Sequence, residues 1–252
     1  LKAFHFISRI NHRDHRKFCI VDGQQLWSGS FNVSDQHLSI KIGGSGWRDY
    51  GIMVSGSAVL NIQQNFNHLW LASQPQNNVQ SLSQNFSKNF RSYWSSVNHL
   101  ARKQKNHLLR EHIHQAQQRI WIVSAYFAPS KRLVTALKLA AKRGIDVHII
   151  VPQSSDVPLF PQLTNTYYHD LLVDGIHLYE YLPSFLHAKA AIIDDFYLMG
   201  SSNFNHRSSL HDLELDIVLS QRQSKKQLES YMLTDRDNAH EVINRDLQQG
   251  IK

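Results

Sequence analysis

The sequence predicts an α/β protein of two pseudo-symmetric lobes, each with mixed sheets flanked by helices, the first lobe incomplete. Three observations predict it. The pattern His-x-Lys-x-x-x-x-Asp occurs twice, as His15, Lys17 and Asp22 and again as His187, Lys189 and Asp194, 172 positions apart. Each copy leads through a hairpin into a small-residue turn ending in asparagine, SGSFN to Asn32 and GSSN to Asn203. Finally, RIWIVSAYF, SKRLVTALKLAAKRG and IDVHIIVP succeed one another as strand, helix and strand, which implies a parallel pair joined by a crossover.

The first lobe is assigned to residues 1–72. After its motif, RDYGIMVSG reads as a strand and SAVLNIQQNFNHLWLAS as a helix. Nothing in 1–14 matches the strand-helix-strand unit of the second half, and the chain starts at Leu1 with no visible signal peptide. The reading is of a fragment whose first lobe begins partway through. That lobe should then expose a sheet edge or apolar surface where further elements would pack. Residues 73–100 are assigned to a linker because 73–92 is rich in Gln, Asn and Ser with few aliphatic residues.

The second lobe is assigned to 101–252. Leu133, Leu137 and Ala141 recur at helical spacing between Ser130 as N-cap and Gly144 as stop. TNTYYHDLLVDG suggests one helix ending at Gly175, and strands follow at IHLYEYL, LHAKAAIID, FYLMG and LELDIVLS. Two helices, about 222–233 and 236–248, close the chain. Their amphipathic pattern suits lobe packing better than membrane binding.

Composition narrows the partners. Hydrophobic residues make up 42%, enough for a sizeable core, and Lys+Arg exceed Asp+Glu by 27 to 20. The net +7 favours anionic partners such as phospholipid headgroups, nucleic acid or a phosphorylated small molecule. Cys19 is the one cysteine, which excludes an intrachain disulfide and a Cys-based zinc site. Within its apolar run it reads as a small buried residue. No run of 18 apolar residues occurs, so no transmembrane helix is predicted within the chain. His107, His112 and His114 lack metal-ligand spacing and read as a solvated helix face.

The motif carries the chemistry. Residues two apart on a strand point the same way, so His15 projects with Lys17 and His187 with Lys189. Asp22 and Asp194 lie an odd seven positions beyond their histidines and face the other way. Within the motif's catalytic set they take the structural part, anchoring the strand end or turn. Two lysines with Asn32, Asn203, Ser30 and Ser202 would make an oxyanion pocket suited to phosphate. Two histidines divide the work at a phosphodiester, one attacking phosphorus and the other moving protons at the leaving and incoming oxygens. The lysines and asparagines supply charge stabilisation, so no metal or other cofactor is expected.

At these residues the sequence resembles the phospholipase D superfamily, whose HKD motifs these are. The resemblance implies two similar α/β lobes with one motif each at a shared interface. It also implies an acidic residue beyond each asparagine that orients a histidine, and Glu214 and Asp49 fit. Stretches such as WRDYGIMVSG and YYHDLLVDGIHLYEYLPSFLHAKAAIIDD are most similar to bacterial cardiolipin synthases and related phosphatidyltransferases. That likeness implies an anionic, phosphatidylglycerol-like phospholipid substrate, a membrane surface as partner and a peripheral position at the bacterial inner membrane. A phospholipase D-type hydrolase or a metal-independent nuclease is the alternative. Nucleic acid is the less favoured partner, since neither motif lies in an aromatic-and-basic strip. Family habit makes His15 the nucleophile and His187 the acid/base, but the symmetry of the motifs leaves the order open, as it does the acceptor.

Overall fold

Each motif copy folds as the first arm of a β-hairpin. In the computed structural model, which describes residues 13–73 and 91–243, β1 (Phe18–Val21), β2 (Gln25–Gly29) and β3 (Gly51–Ser55) form an antiparallel sheet. Further along, β8 (Lys189–Ile193), β9 (Phe196–Gly200) and β10 (Leu215–Val218) repeat that order. The hairpin turns explain the repeated aspartate. Asp22 and Asp194 have φ of 52° and 48°, a left-handed backbone that Asp tolerates better than most residues. Asp194 also accepts hydrogen bonds from the backbone N–H groups of Gln117, Gln118 and Arg119, at 2.7, 2.9 and 2.9 Å, and so fixes the start of the neighbouring strand.

That neighbour is β5 (Arg119–Ser124), which pairs with β8 on the side away from β9. The full second sheet has eight strands in the order β11-β7-β6-β5-β8-β9-β10-β4. It is completed by β4 (Tyr93–Ser95), β6 (Asp146–Pro152), β7 (His177–Tyr181) and β11 (Ala239–Val242). Strands β5, β6 and β7 are parallel, as the strand-helix-strand pattern requires. Helix α1 (Ser57–Ser73) follows β3, α2 (His99–Gln115) precedes β5, and α3 (Lys131–Lys142) crosses from β5 to β6. Ser130 caps α3 by accepting from the Leu133 N–H at 3.3 Å.

The core has two faces. Ile122, Leu137, Ile149 and Leu178 are fully buried on one, beneath α2 and α3. The other is shared between lobes: Leu26, Tyr50, Val59 and Ile62 pack with Val123, Ile192 and Met199, and with Leu228 and Met232 of α7 (Arg222–Asp237). Buried Asp235 of α7 accepts from Arg48 Nε at 2.8 and 3.1 Å and from the Tyr50 hydroxyl at 2.6 Å. The amphipathic C-terminal helix is thus a lobe-packing element.

The first sheet ends where the second continues. Among the described residues β1 pairs with β2 alone, whereas its counterpart β8 is flanked by β5 as well as β9. Cys19, Trp27 and Met53 are cross-strand neighbours on the open face. Trp27 and Met53 are about half exposed, and Cys19 is exposed rather than buried. The apolar run around Cys19 is amphipathic in place: Phe18 and Ile20 turn to the core, and Cys19 and Val21 turn out.

Other sequence expectations shift locally. The helix expected at 236–248 is replaced by β11 at 239–242, because β7 offers an antiparallel edge there; residues 244–252 lie outside the described residues. The segment assigned to a linker, 73–100, includes β4, which adds to the sheet beside β10, and the start of α2; residues 74–90 lie outside the described residues. The single helix ending at Gly175 is two, α4 (Phe160–Asn165) and α5 (Tyr168–Val173), and the short α6 (His206–Leu210) follows β9. Asp235→Ala should lower unfolding stability by about 3 kcal/mol, read from urea denaturation, because it leaves a half-buried guanidinium without its carboxylate. A change within 0.5 kcal/mol would refute its role as the tie between lobes.

Candidate active site

The motif histidines sit just before β1 and β8, where the chain leaves its own sheet and meets the other lobe. Asp14 forms a parallel bridge with Leu213, and Leu186 forms one with Arg48. The His15 N–H donates to the Leu213 carbonyl at 2.9 Å, and the His187 N–H to the Arg48 carbonyl at 2.8 Å. The residues after Leu213 and Arg48 are Glu214 and Asp49. Each lobe therefore presents its acid to the histidine of the other.

The contacts follow that register. His187 Nδ1 donates to Asp49 Oδ1 at 2.8 Å, and His15 Nδ1 lies 3.6 Å from Glu214 Oε1 and 3.4 Å from Asp212 Oδ2. Each acid is held by a serine that follows a glycine. Ser30 Oγ donates to Asp49 at 2.6 Å and accepts from the Tyr50 N–H at 3.1 Å. Ser201 Oγ donates to Glu214 at 2.5 Å and accepts from the Leu215 N–H at 3.0 Å. The glycines are needed for this approach: a Cβ on Gly29 would lie 2.3 Å from the Tyr50 carbonyl oxygen, and one on Gly200 2.4 Å from that of Leu215.

Ser201, not Ser202, is therefore the counterpart of Ser30. Ser202 turns away, donating to Asp216 at 2.5 Å and taking a hydrogen bond from Lys105. Its neighbour could have been found by counting Gly-Ser-x-Asn strictly in both copies. The second signal missed was the residue five beyond each asparagine. His37 donates from Nδ1 to Asp49 Oδ2 at 2.6 Å, and Ser208 donates to Glu214 Oε1 at 2.8 Å. Asn32 Nδ2 contacts His37 Nε2 at 3.3 Å, and Asn203 Oδ1 accepts from the Tyr126 N–H at 3.3 Å. Asp212 carries no spacing signal, since its importance comes from being fully buried beside His15.

The lysines repeat the symmetry. Lys17 Nζ donates to the His15 carbonyl at 2.7 Å and Lys189 Nζ to the His187 carbonyl at 2.5 Å. Burial lowers both lysines, Lys189 to about 7. Asp49 and Glu214 oppose that lowering at each, and the charge of Lys17 adds to it at Lys189. Both lysines thus share one electrostatic basin. Asp22 and Asp194 lie at the far ends of β1 and β8, in the turns, and do not join it.

The histidines differ in surroundings. His187 is buried among Trp47, Phe185 and His37, with ring centroids 5.4, 5.8 and 5.0 Å away. Burial pulls its imidazole down to about 4 against the upward pull of Asp49. Burial pushes Asp49 up, but hydrogen bonds from His187, Ser30 and His37 outweigh it and hold the carboxyl at about 2. The His15 side chain is about one-third exposed and faces two fully buried carboxylates. Beside Lys189 and Asn203 lies a cavity of about 440 Å³, walled largely by Leu109, Leu133, Met199, Phe204 and Leu210, with Lys131 and Arg132 on its lining.

Comparison with known proteins agrees with this architecture. Residues 109–236 match the family model described as "Cardiolipin synthase, PLD-like domain". The chain is 30% identical over 241 residues to cardiolipin synthase A of Pseudomonas entomophila, covering 94% of this chain and 50% of that one. The chain thus spans about half the length of the curated relatives it matches. Among solved structures, phosphatidylserine synthase of Haemophilus influenzae shares the fold with a TM-score of 0.62 at 16% identity, over 93% of this chain and 64% of its own. Polyphosphate kinase of Porphyromonas gingivalis does so with a TM-score of 0.58 at 13% identity, over 91% of this chain and 34% of its own. With the family model spanning half of its residues and both motif copies meeting between its lobes, the chain belongs to the phospholipase D-like family of cardiolipin synthase type.

Proposed function

We propose that this protein transfers a phosphatidyl group between alcohols through a phosphohistidine, acting on an anionic phospholipid such as phosphatidylglycerol at a membrane surface. The observation that carries the reading is the exchange of acids across the lobe interface, which turns two distant His-Lys pairs into one site. The apolar cavity beside Lys189 and Asn203 supports a lipid over a nucleic acid, which would favour a continuous basic channel. The resemblance to cardiolipin synthases points the same way. No helix among the described residues is long and apolar enough to cross a membrane.

In this reading His187 is the nucleophile, against family habit. Its lone pair is free at neutral pH because burial disfavours the imidazolium, and Asp49 fixes the tautomer that leaves Nε2 unprotonated. His15 is the acid. Among the described residues both oxygens of Asp212 are buried without a hydrogen bond, Arg207 being an ion-pair neighbour at 3.1 Å. Asp212 and Glu214 both face the Nδ1 of His15, at 3.4 and 3.6 Å, which leaves Nε2 to meet the leaving oxygen.

His187 Nε2 forms a bond to phosphorus as the bond to the leaving oxygen breaks, and His15 gives that oxygen its proton. His15 then takes the proton of the acceptor hydroxyl, whose oxygen displaces His187 and restores it. Lys17, Lys189, Asn32 and Asn203 hold the non-bridging oxygens throughout.

Incubation with vesicles containing labelled phosphatidylglycerol should yield a transphosphatidylation product. Phosphatidic acid alone would mark a hydrolase, and cleavage of DNA with no lipid turnover would overturn the lipid reading. His15→Ala and His187→Ala should each lower kcat by about a thousandfold or more. With an activated leaving group, His15→Ala should accumulate a phosphoryl adduct that peptide mapping places on His187. An adduct on His15 in the His187→Ala protein would reverse the assignment.

The pH profile has a defined sign. As pH falls through about 4 His187 gains a proton and loses its lone pair, so kcat/KM should fall on that side. As pH rises through about 7 Lys189 loses its charge in the free protein, so kcat/KM should fall there too, through a higher KM. Asp49→Asn should cost kcat about a hundredfold by spoiling the tautomer, with a smaller rise in KM because Lys189 loses a carboxylate that sustains its charge.

A further inference from the structure

A second cluster of titratable side chains lies at the opposite end of the large sheet. Strands β6 and β7 are in parallel register with His148 opposite His177, and Trp121 of β5 lies opposite His148 on the other side. Asp146 is two residues before His148, so it shares that face. The donor atoms of Asp146, His148 and His177 lie within 4.8 Å of one another. All three belong to the N-terminal ends of β6 and β7, whereas Ser124, at the C-terminal end of β5, pairs with Lys189. Proposed catalysis uses none of them.

The cluster is oriented as well as close. His148 Nε2 lies 2.8 Å from Asp146 Oδ1, and Trp121 Nε1 donates to Asp146 Oδ2 at 3.0 Å. The Trp121 indole stacks on His148 at 5.5 Å with an interplanar angle of 4°. His177 Nδ1 lies 2.9 Å from Glu241 Oε1, and Glu241, paired with Tyr179 across β11 and β7, is on the same face. Two facing imidazoles, one held largely out of solvent, repel as cations but act together as neutral donors. Two carboxylates supply the countercharge for a dication, and they outnumber Arg236, whose charge is felt at His148 and which is itself paired with Asp237.

We propose that Asp146, His148 and His177 bind a divalent transition-metal ion of the zinc class, with Glu241 orienting His177 from outside the ligand set. Nitrogen and carboxylate donors at roughly 2.0–2.2 Å suit zinc, and Trp121 holds the ligating carboxylate as outer-sphere partners commonly do. A small closing movement of the exposed Asp146 and His177 side chains brings the three donors onto one ion. Bound there, the ion would tie β6 to β7 and, through Glu241, to β11, staking down the edge of the sheet far from the reaction.

Equilibrium dialysis against Zn²⁺ tests the site, with Co²⁺ absorption as a probe of coordination. His37, Asp49 and His187 also converge and could take an ion, so the comparison is by difference. The whole chain should bind one more Zn²⁺ than the His148→Ala/His177→Ala protein, and its Tm should rise by about 3 °C at tenfold excess over Kd. Asp146→Asn, which preserves shape, should weaken binding at least tenfold and guards against a double variant that fails to fold. Equal stoichiometry in all three proteins, or a Co²⁺ spectrum unchanged by Asp146→Asn, would overturn the proposal.

Discussion

The site depends on a pair of short parallel bridges between lobes, Asp14 to Leu213 and Leu186 to Arg48. They are single bridges rather than ladders, yet they set the register that puts Glu214 beside His15 and Asp49 beside His187. A slip of one residue would turn each acid to the opposite side of its strand. Several independent contacts resist it. The serine-acid-backbone links at Ser30 and Ser201 hold the acids from behind, and the Arg48–Asp235–Tyr50 cluster holds the first lobe against α7. The interlobe core of Leu26, Tyr50 and Ile62 against Ile192 and Met199 does the same through apolar area.

Symmetry of backbone does not make the two halves equivalent. Asp49 spreads its charge over Ser30, His37 and His187, so its histidine sees one well-satisfied carboxylate in an aromatic box. His15 sees two carboxylates, one of them poorly satisfied, and a third of its side chain reaches solvent. Burial dominates at His187, whereas His15 is partly exposed and lies between two carboxylates. The proposed division into nucleophile and acid rests on that difference in surroundings, with no change in the motif itself.

Much of this was legible along the chain. The duplicated His-x-Lys pairs and the asparagine turns are recoverable from residue order, as are Ser130 and Gly144 as the ends of α3, whereas Asp49 and Glu214 follow from the resemblance to the phospholipase D superfamily. The role of Asp194 was readable too, since a residue an odd number of positions from its histidine cannot share its face on a strand. Cys19 was misread because a continuous apolar run does not say which face is covered, and here Cys19 lies on the open one. The strand at 239–242 was hidden because its sequence reads as an amphipathic helix, and only the free edge of β7 makes extended backbone the better partner. Ser201 rather than Ser202 keeps the Gly-Ser-x-Asn spacing of the first copy.

The sequence by itself determined the local pieces: two hairpins with identical chemistry, a parallel crossover unit, and which side chains project together. These are properties of periodicity and turn chemistry, which act over a few residues. Tertiary structure alone decided which acid serves which histidine, that Asp212 joins them, and that His148 and His177 lie side by side. Those pairings join residues on different strands or in different lobes. They follow from strand register and buried charge, and nothing in the spacing of either partner encodes them.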